Sequence, residues 1–274
     1  MRSILISLKD EASVNIRDRL LEMAEWKELV EFMGLPAYSY GNYVMLQHPG
    51  EHIYAERIDE KIAEFLGERA EVIVFASRHK SESGKKALTV HTVGNYGKAE
   101  YGGKDRTLSI PSPQLMSIAL RMLHKNNSLP DYSVSYEVTH HGPYLETPSF
   151  FIEIGSSESE WRDEEAGRVI AKTILDIMDK SSNEPVAIGI GGGHYAPRFT
   201  ELALNYRISF GHMAPKYALP NLDETMLKQM VEKSGAEYVY FHKAGLKKSD
   251  IKRMAEILEG MGVERVRSED IEKR

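Results

Sequence analysis

The chain has 274 residues and a formal net charge of −6, which argues against a protein that coats nucleic acid indiscriminately. It contains no cysteine and only three glutamines, a bias typical of heat-loving organisms, and without thiolates any zinc would need histidine or carboxylate ligands. Its apolar runs are too short for a membrane span and its amino-terminal segment is too charged for a secretory signal, so we expect a soluble, cytoplasmic protein.

The first half of the chain alternates between strand and helix patterns. Buried strands are predicted at 3–8, 43–47, 71–77 and 87–95. Helices are predicted at 11–33, 58–67 and 111–127. The last of these begins with prolines, which a first helical turn tolerates, and ends at an Asn-Asn pair. A polar loop, RHKSESGKK, is predicted between the third and fourth strands.

The second half continues the alternation. Strands are predicted at 132–139, 149–154, 186–191, 207–212 and 238–242, and helices at 159–179, from Pro197, at 223–234 and at 249–260. This order predicts an α/β fold with a mainly parallel, twisted sheet, helices on both faces and ligands beyond the carboxyl ends of the strands. We expect one compact domain over 1–274, in which residues 125–131 are the place where a subdomain boundary would fit.

A short sequence repeat follows two of the predicted strands. GGHYAPRF (192–199) and FGHMAPKY (210–217) share Gly-His-x-Ala-Pro, then a base and then an aromatic residue. Each copy sets a histidine at the carboxyl end of a strand and a cation just inside the next element, which begins with proline. The residues so placed are His194 with Arg198 and His212 with Lys216.

The glycines before the first of these histidines have two interpretations. Gly192 and Gly193 would leave backbone N–H groups open at a helix start, which is a natural cradle for a phosphate or an oxyanion. Alternatively, the glycines only turn the chain and the histidine caps a helix. A histidine and a base in both copies favour the functional interpretation.

A second histidine motif lies in SYEVTHHGPYLETPSFFIEIG, residues 135–155. His140 and His141 would face opposite ways in an extended strand, but a Gly-Pro pair ends the strand directly after them. Either one histidine is functional and the other structural, or the backbone curls and both converge. Glu137 would share a face with His141 if the strand geometry holds. His91, at the end of an apolar run, is expected to be a core or rim histidine.

Histidines and carboxylates without cysteine suit a zinc site that keeps an open coordination position. Zinc would polarise a carbonyl and lower the pKa of bound water towards about 7, although metal-free acid–base hydrolysis stays open. The expected ligands are His140, His141, His194 and His212. We expect these four histidines and Glu137 to form the catalytic group, with His194 and His212 in one site.

A local basic segment contrasts with the negative net charge. Residues 76–106 contain seven bases against three acids, so this segment has a net charge of +4. Such a local basic surface suits contacts with the phosphates of a polyanionic substrate. The candidate substrate-binding residues are Arg78, Lys80, Lys85, Lys86, Gly192, Gly193, Arg198 and Lys216. The alternative for the 76–106 segment is a solvated lid.

Five motifs, taken together, resemble the archaeal and plant type of D-aminoacyl-tRNA deacylase. They are SRHKSESG, VHTVGN, EVTHHGP, GGGHYAPRF and GHMAPKYAL, and the resemblance extends from Met1 to about Tyr240. It implies hydrolysis of the ester between a D-amino acid and the terminal ribose of tRNA, with zinc as the metal. It also implies a core similar to peptidyl-tRNA hydrolases and nucleoside phosphorylases. The ligand set above comes from the residues and not from the resemblance.

Two other functions are compatible with the same residues. One is a zinc-dependent amidohydrolase or peptidase that acts on small molecules and does not need the basic segment. The other is a non-catalytic RNA-binding protein. Salt-dependent tRNA binding would distinguish a deacylase from the small-molecule hydrolase. Metal content together with turnover would distinguish a deacylase from the RNA-binding protein.

Overall fold

A computed structural model describes residues 1–82 and 84–274, which form an α/β fold with two principal sheets. The strands are β1 (Arg2–Ser7), β2 (Lys27–Glu28), β3 (Tyr38–Tyr40), β4 (Tyr43–His48), β5 (Val72–Lys80), β6 (Ala87–His91), β7 (Gly94–Asn95), β8 (Thr107–Leu108), β9 (Ser133–Tyr136), β10 (Ser149–Ser156), β11 (Val186–Ile190), β12 (Ser209–Ala214), β13 (Tyr238–Phe241) and β14 (Glu264–Val266). The α-helices are α1 (Glu11–Met23), α2 (Ile58–Leu66), α3 (Pro113–Asn126), α4 (Glu158–Trp161), α5 (Glu164–Asp176), α6 (Pro197–Asn205), α7 (Glu224–Ser234) and α8 (Lys248–Gly260).

The larger sheet has the strand order β2-β3-β4-β1-β5-β10-β6-β9. Strands β4, β1, β5 and β10 are parallel neighbours at its centre, while β6 runs antiparallel to β10. Alternate side chains of β1 enter different apolar clusters: Ile4 packs with α1, α3 and α5, and Leu5 packs with α2. Helices therefore cover both faces, and the predicted fold class is confirmed.

The smaller sheet is parallel throughout, in the order β12-β11-β13-β14. One of its faces packs against α7 and α8, through residues such as Met226 and Met254. Phe210 and Phe199, from β12 and α6, instead join the same apolar cluster as Ile4 of the larger sheet. The two sheets thus share a core, and the single domain over 1–274 stays a prediction.

Some predicted boundaries differ from the structure. Helix α1 ends at Met23 and not at residue 33, because Phe32 packs with α2 and Leu5 on the other face of the sheet from α1. The predicted helix at 159–179 is divided, because Asp163 caps a new helix by accepting hydrogen bonds from the backbone of its first turn. Strand β5 extends into the predicted polar loop as far as Lys80, where it pairs with β10.

The chain crosses between the two sheets close to the ends of several strands. Val138, two residues after β9, donates a backbone hydrogen bond to His194 beyond β11, and Thr139 donates one to Met213 in β12. Residues from the carboxyl ends of both sheets consequently meet in one region. No helix in residues 1–82 and 84–274 combines the length and apolar composition needed to cross a membrane.

Candidate active site

A cavity of about 860 Å³ opens where β5 ends and where the segments after β9 and β11 meet. Its walls include five histidines and the buried carboxyl groups of Asp10 and Glu153. The histidines are His52, His79, His140, His141 and His194. Burial of so many titratable groups at strand ends is typical of a functional site.

His140 and His141 converge with His91 on one side of this cavity. The ring centroid of His140 lies 4.3 Å from that of His91 and 4.4 Å from that of His141. The backbone at His141 has a φ of 43°, a left-handed conformation that curls the chain at the predicted Gly-Pro pair. Of the two alternatives for the adjacent histidines, the structure therefore supports convergence.

Backbone carbonyl groups orient all three of these rings. Nδ1 of His91 lies 3.1 Å from the carbonyl oxygen of Thr92, Nδ1 of His140 lies 2.7 Å from that of Val138, and Nδ1 of His141 lies 2.6 Å from that of Gly142. A carbonyl oxygen only accepts, so each Nδ1 carries the hydrogen and each Nε2 keeps its lone pair. Nε2 of His91 is buried and has no hydrogen-bond partner within the described residues.

Burial keeps the three rings neutral. It lowers the pKa of His91 to about 4 and that of His141 to about 3, and it holds the pKa of His140 well below its usual range. The neighbouring imidazoles act in the same direction on each ring. At neutral pH these side chains are neutral imidazoles, which is the form that binds metal ions.

Glu137, directly after β9, is a fully buried carboxylate surrounded by histidines. Nε2 of His194 donates to its Oε2 at 2.7 Å, and Nδ1 of His79 lies 3.1 Å from its Oε1. Burial by itself would raise the pKa of Glu137, but the hydrogen bond from His194 and the close approach of His79 outweigh it and hold the pKa well below the usual range. Glu137 is therefore an anion at neutral pH.

The partners of Glu137 have different environments. Burial would lower the pKa of His79, but Glu137 and then Glu153 overcome this effect and raise it. Nε2 of His79 lies 3.0 Å from the hydroxyl of Tyr195, which gives its second nitrogen a partner. The side chain of His194 is 34% exposed, so it is accessible from the cavity.

Glu153, in β10, is the second carboxyl group of this region. Burial and then repulsion from Glu137 raise its pKa well above the usual range. Its Oε2 lies 3.5 Å from Nε2 of His91. Two buried carboxyl groups with pKa values shifted in opposite directions provide one anion and one proton donor within the same site.

Among residues 1–82 and 84–274, three sets of side chains have ligand atoms within 4.8 Å of one another and are candidate metal sites. They are His91, His140 and His141; His79, Glu137 and His194; and His91, Glu137 and Glu153. The predicted ligands His140, His141 and His194 thus all lie in such sets, together with the predicted Glu137. His79, His91 and Glu153 were not predicted to be site residues. His91 is buried, as expected, but it also belongs to the cluster.

His212 does not belong to any of these sets. The structure therefore does not bring His212 and His194 into one site, contrary to what the sequence repeat predicts. His212 lies inside β12, whereas His194 follows β11 after three glycines, so the two copies of the repeat are not structurally equivalent. Nε2 of His212 lies 3.0 Å from the carbonyl of Ser109, and Nδ1 lies 3.2 Å from the hydroxyl of Thr139. Burial lowers its pKa to about 3. Both ring nitrogens therefore have protein partners.

The predicted phosphate-binding residues of the basic segment divide into two groups. Arg78 and Lys80 line the cavity, and Arg78 is already paired with Glu51 at 2.8 Å. Lys85 lies at a separate groove, and Lys86 lies over the ring of Tyr132 at 5.4 Å. Arg78 and Lys80 are on a strand and not in the predicted loop, because β5 continues its pairing with β10 to Lys80.

The other predicted substrate-binding residues lie outside the cavity lining. Arg198 donates to the hydroxyl of Tyr240 and to Glu201, so its charge is compensated. Lys216 is exposed, and its backbone N–H donates to the carbonyl of Gly192 at 2.9 Å. Gly192 has a φ of 83°, and the carbonyl of Gly193 accepts a turn hydrogen bond before α6. An anion cradle at these glycines stays a prediction.

The fold and the site define an α/β protein with a histidine–carboxylate centre at the carboxyl ends of its strands. The family model described as D-aminoacyl-tRNA deacylase matches residues 66–266. This match spans more than half of the chain, and the chain belongs to the D-aminoacyl-tRNA deacylase family. The motif SRHKSESG within it includes Ser83, which lies outside the described residues.

Individual relatives agree with the family match. The chain is 46% identical to a D-aminoacyl-tRNA deacylase of Pyrococcus abyssi over 87% of this chain and 90% of the relative. It is 44% identical to that of Thermococcus onnurineus over 97% of this chain and the relative's full length. A crystal structure of a conserved protein of unknown function has a TM-score of 0.92, 38% identity, and coverage of 99% of this chain and 96% of that chain.

The burial of neutral His212 predicts an acid-sensitive fold. Unfolded histidine binds a proton near pH 6.5, whereas His212 in the fold stays neutral to about pH 3. The contribution of His212 to the unfolding free energy is therefore fully present above pH 6.5 and is lost as the pH is lowered. In metal-free protein, we expect His212→Gln to reduce the pH slope of the unfolding free energy by about 1.4 kcal/mol per pH unit between about pH 6 and 4. Urea denaturation at several pH values measures this slope.

His124→Gln is the matched control, because it makes the same substitution at an exposed position on α3. Equal slopes for wild type and His212→Gln would contradict the structural role of His212.

Proposed function

We propose that this protein is a cytoplasmic deacylase that hydrolyses the ester between a D-amino acid and the 3′-terminal ribose of tRNA. The observation that carries the proposal is the set of three neutral histidines whose Nδ1 hydrogens are fixed by backbone carbonyls. Their Nε2 lone pairs stay available beside a cavity of about 860 Å³. Family membership supports the choice of substrate.

We assign the proposed Zn²⁺ to His91, His140 and His141. The unpartnered, buried Nε2 of His91 fits a metal ligand, and three neutral imidazoles form a donor set that zinc favours. Three protein ligands also leave a position open for substrate or water. When bound, zinc would polarise the ester carbonyl and make water more acidic. This set replaces the predicted one: His194 and His212 are no longer ligands, and His91 is added.

His194 and Glu137 are proposed to move the proton. Nε2 of His194 donates to the carboxylate of Glu137, so the other nitrogen, Nδ1, is the atom that accepts a proton. Glu137 fixes the ring and stabilises the imidazolium that forms, as the carboxylate does in hydrolytic triads. His194 would take a proton from the attacking water and return it to the ribose oxygen as the ester bond breaks.

A direct test compares matched D- and L-aminoacyl-tRNA. We expect wild type to release the D-amino acid and to leave the L-ester at its spontaneous rate. His194→Ala should lower kcat for the D-substrate by about 10²–10⁴-fold, the range for a lost general acid or base. Release of the labelled amino acid measures both quantities. Equal cleavage of the two substrates, or cleavage of neither, would reject the proposed function.

The metal assignment predicts the zinc content of purified variants. His91→Ala, His140→Ala and His141→Ala should each weaken zinc binding by more than the roughly 10- to 100-fold typical of changes next to a ligand. Elemental analysis after dialysis against a weak chelator measures this loss independently of turnover. His124→Ala should retain the wild-type content, because His124 is exposed on α3. Full zinc content in all three variants would contradict the assignment and show that the metal binds at another site.

The location of Lys80 predicts a salt effect on tRNA binding. Lys80→Ala should flatten the log–log dependence of Kd on salt concentration by about one unit, because one phosphate contact is lost. Arg78→Ala should have a smaller effect, since Glu51 already compensates the charge of Arg78. Equilibrium binding of tRNA at several salt concentrations gives the slopes, and Lys172→Ala, in an ion pair on α5, is the control. An unchanged slope for Lys80→Ala would contradict a phosphate contact at Lys80 and favour the solvated-lid interpretation of the basic segment.

A further inference from the structure

Three exposed tyrosines surround the cavity that contains the histidine cluster. Tyr54, Tyr101 and Tyr217 are 56%, 63% and 65% exposed and come from three separate segments of the chain. All three line this cavity. Within the described residues, Tyr40 is the other aromatic side chain among the exposed large hydrophobics, and it lies on β3, outside the cavity lining. Exposed aromatic rings are thus concentrated at this cavity.

The backbone holds two of these tyrosines beside the histidine turn. Gly142, which follows His141, donates its N–H to the carbonyl of Tyr101 at 2.9 Å. Gly102 has a φ of 70°, and a Cβ there would lie 1.7 Å from the carbonyl oxygen of Ile53, the residue before Tyr54. This close approach requires glycine. Tyr54 and Tyr101 are therefore positioned by the same segment that orients the ring of His141.

Charge alone is a weak source of affinity in this cavity. Lys80 and Lys98 line it, but so do Glu82 and Glu100, and the charge of Arg78 is paired. Beyond the proposed phosphate contact of Lys80, a polyanionic substrate would gain little here from ion pairing, and the net charge of −6 opposes its approach. Aromatic rings supply an attraction that does not depend on charge, because every nucleobase has a face on which a ring can stack.

We propose that Tyr54, Tyr101 and Tyr217 form a stacking rim that binds the unpaired bases at the 3′ end of aminoacyl-tRNA. This inference rests on the proposed function, since the scissile ester is attached to the terminal ribose. The three tyrosines line the same cavity as His140, His141 and His194, so a substrate whose ester lies at the histidines would bring its terminal bases towards the rim. The rim recognises bases by stacking and leaves the amino acid to the histidine side of the cavity.

Binding of a short RNA tests the rim without catalysis. The probe is a single-stranded CCA trinucleotide, the sequence of the tRNA terminus, with 2-aminopurine in place of the terminal adenine, whose fluorescence falls when the base stacks. We expect wild type to quench the probe and the alanine variants of Tyr54, Tyr101 and Tyr217 each to bind it about 5- to 100-fold more weakly. Tyrosine-to-phenylalanine variants keep the ring and should stay within about twofold of wild type. Tyr40→Ala is the matched exposed control.

Kinetics on D-aminoacyl-tRNA provide the second arm. The three alanine variants should raise KM by the same 5- to 100-fold range while kcat changes little, because the rim binds substrate without touching the ester. Thermal unfolding of each variant checks that the fold is intact. Unchanged probe affinity in all three alanine variants, or no quenching by wild type, would contradict the proposal that these tyrosines bind bases by stacking. Failure of wild type to cleave any D-aminoacyl-tRNA would instead reject the proposed function, so the two outcomes are distinguishable.

Discussion

The site depends on one buried charge. Glu137 is fully buried as a carboxylate, and such a charge is tolerated only when hydrogen bonds replace the water that it has lost. His194 supplies such a hydrogen bond and Nδ1 of His79 approaches the second oxygen at 3.1 Å, and the two residues come from the ends of two different sheets. Burial, and then repulsion from this ionised carboxylate, raises the pKa of the neighbouring Glu153. Compensation of Glu137 therefore ties the two sheets together and sets the protonation of the surrounding groups.

The second constraint is the orientation of neutral imidazoles by main-chain carbonyls. His140 and His141 are neighbours in sequence, and only a left-handed backbone at His141 lets both rings face His91. Each ring then donates from Nδ1 to a carbonyl close by in sequence. Because these contacts are local, the tautomers are fixed by the chain path itself. The same chain path positions Tyr101, so the histidine cluster and the aromatic rim share one framework.

Much of the fold and part of the site could be predicted from the sequence. The α/β alternation was readable because apolar runs and helical spacing mark each element, and strand ends indicated His140, His194 and Glu137. Glu153 was not recognised because it lies inside a strand that looks like an ordinary core segment. His79 was not recognised because it falls in the predicted polar loop, whereas β5 continues its pairing with β10 to Lys80. His91 was placed in the core because of its apolar neighbours, although its position at the end of β6 was the available signal. No local sequence pattern indicates that the end of one strand will be buried against another sheet.

The prediction that His194 and His212 share one site was wrong for a related physical reason. His194 and His212 occupy equal positions in the sequence pattern, but pairing with β11 keeps His212 within β12, where its ring contacts Thr139 and Ser109. Strand register decides which side chains reach the cavity, and the repeat contains no information on register. The overlong first helix has the same origin, since apolar spacing alone does not reveal which face of the sheet Phe32 will cover.

Nitrogen NMR of the histidine rings in metal-free protein tests the central claim most directly. Long-range proton–nitrogen spectra distinguish the two neutral tautomers from the imidazolium, and single histidine-to-glutamine variants assign the signals. At pH 7, His91, His140 and His141 should each carry hydrogen on Nδ1 alone, and His91 and His141 should stay neutral to pH 5, because their pKa values lie at about 4 and about 3. A charged ring, or hydrogen on Nε2, in any of the three at pH 7 would contradict the account.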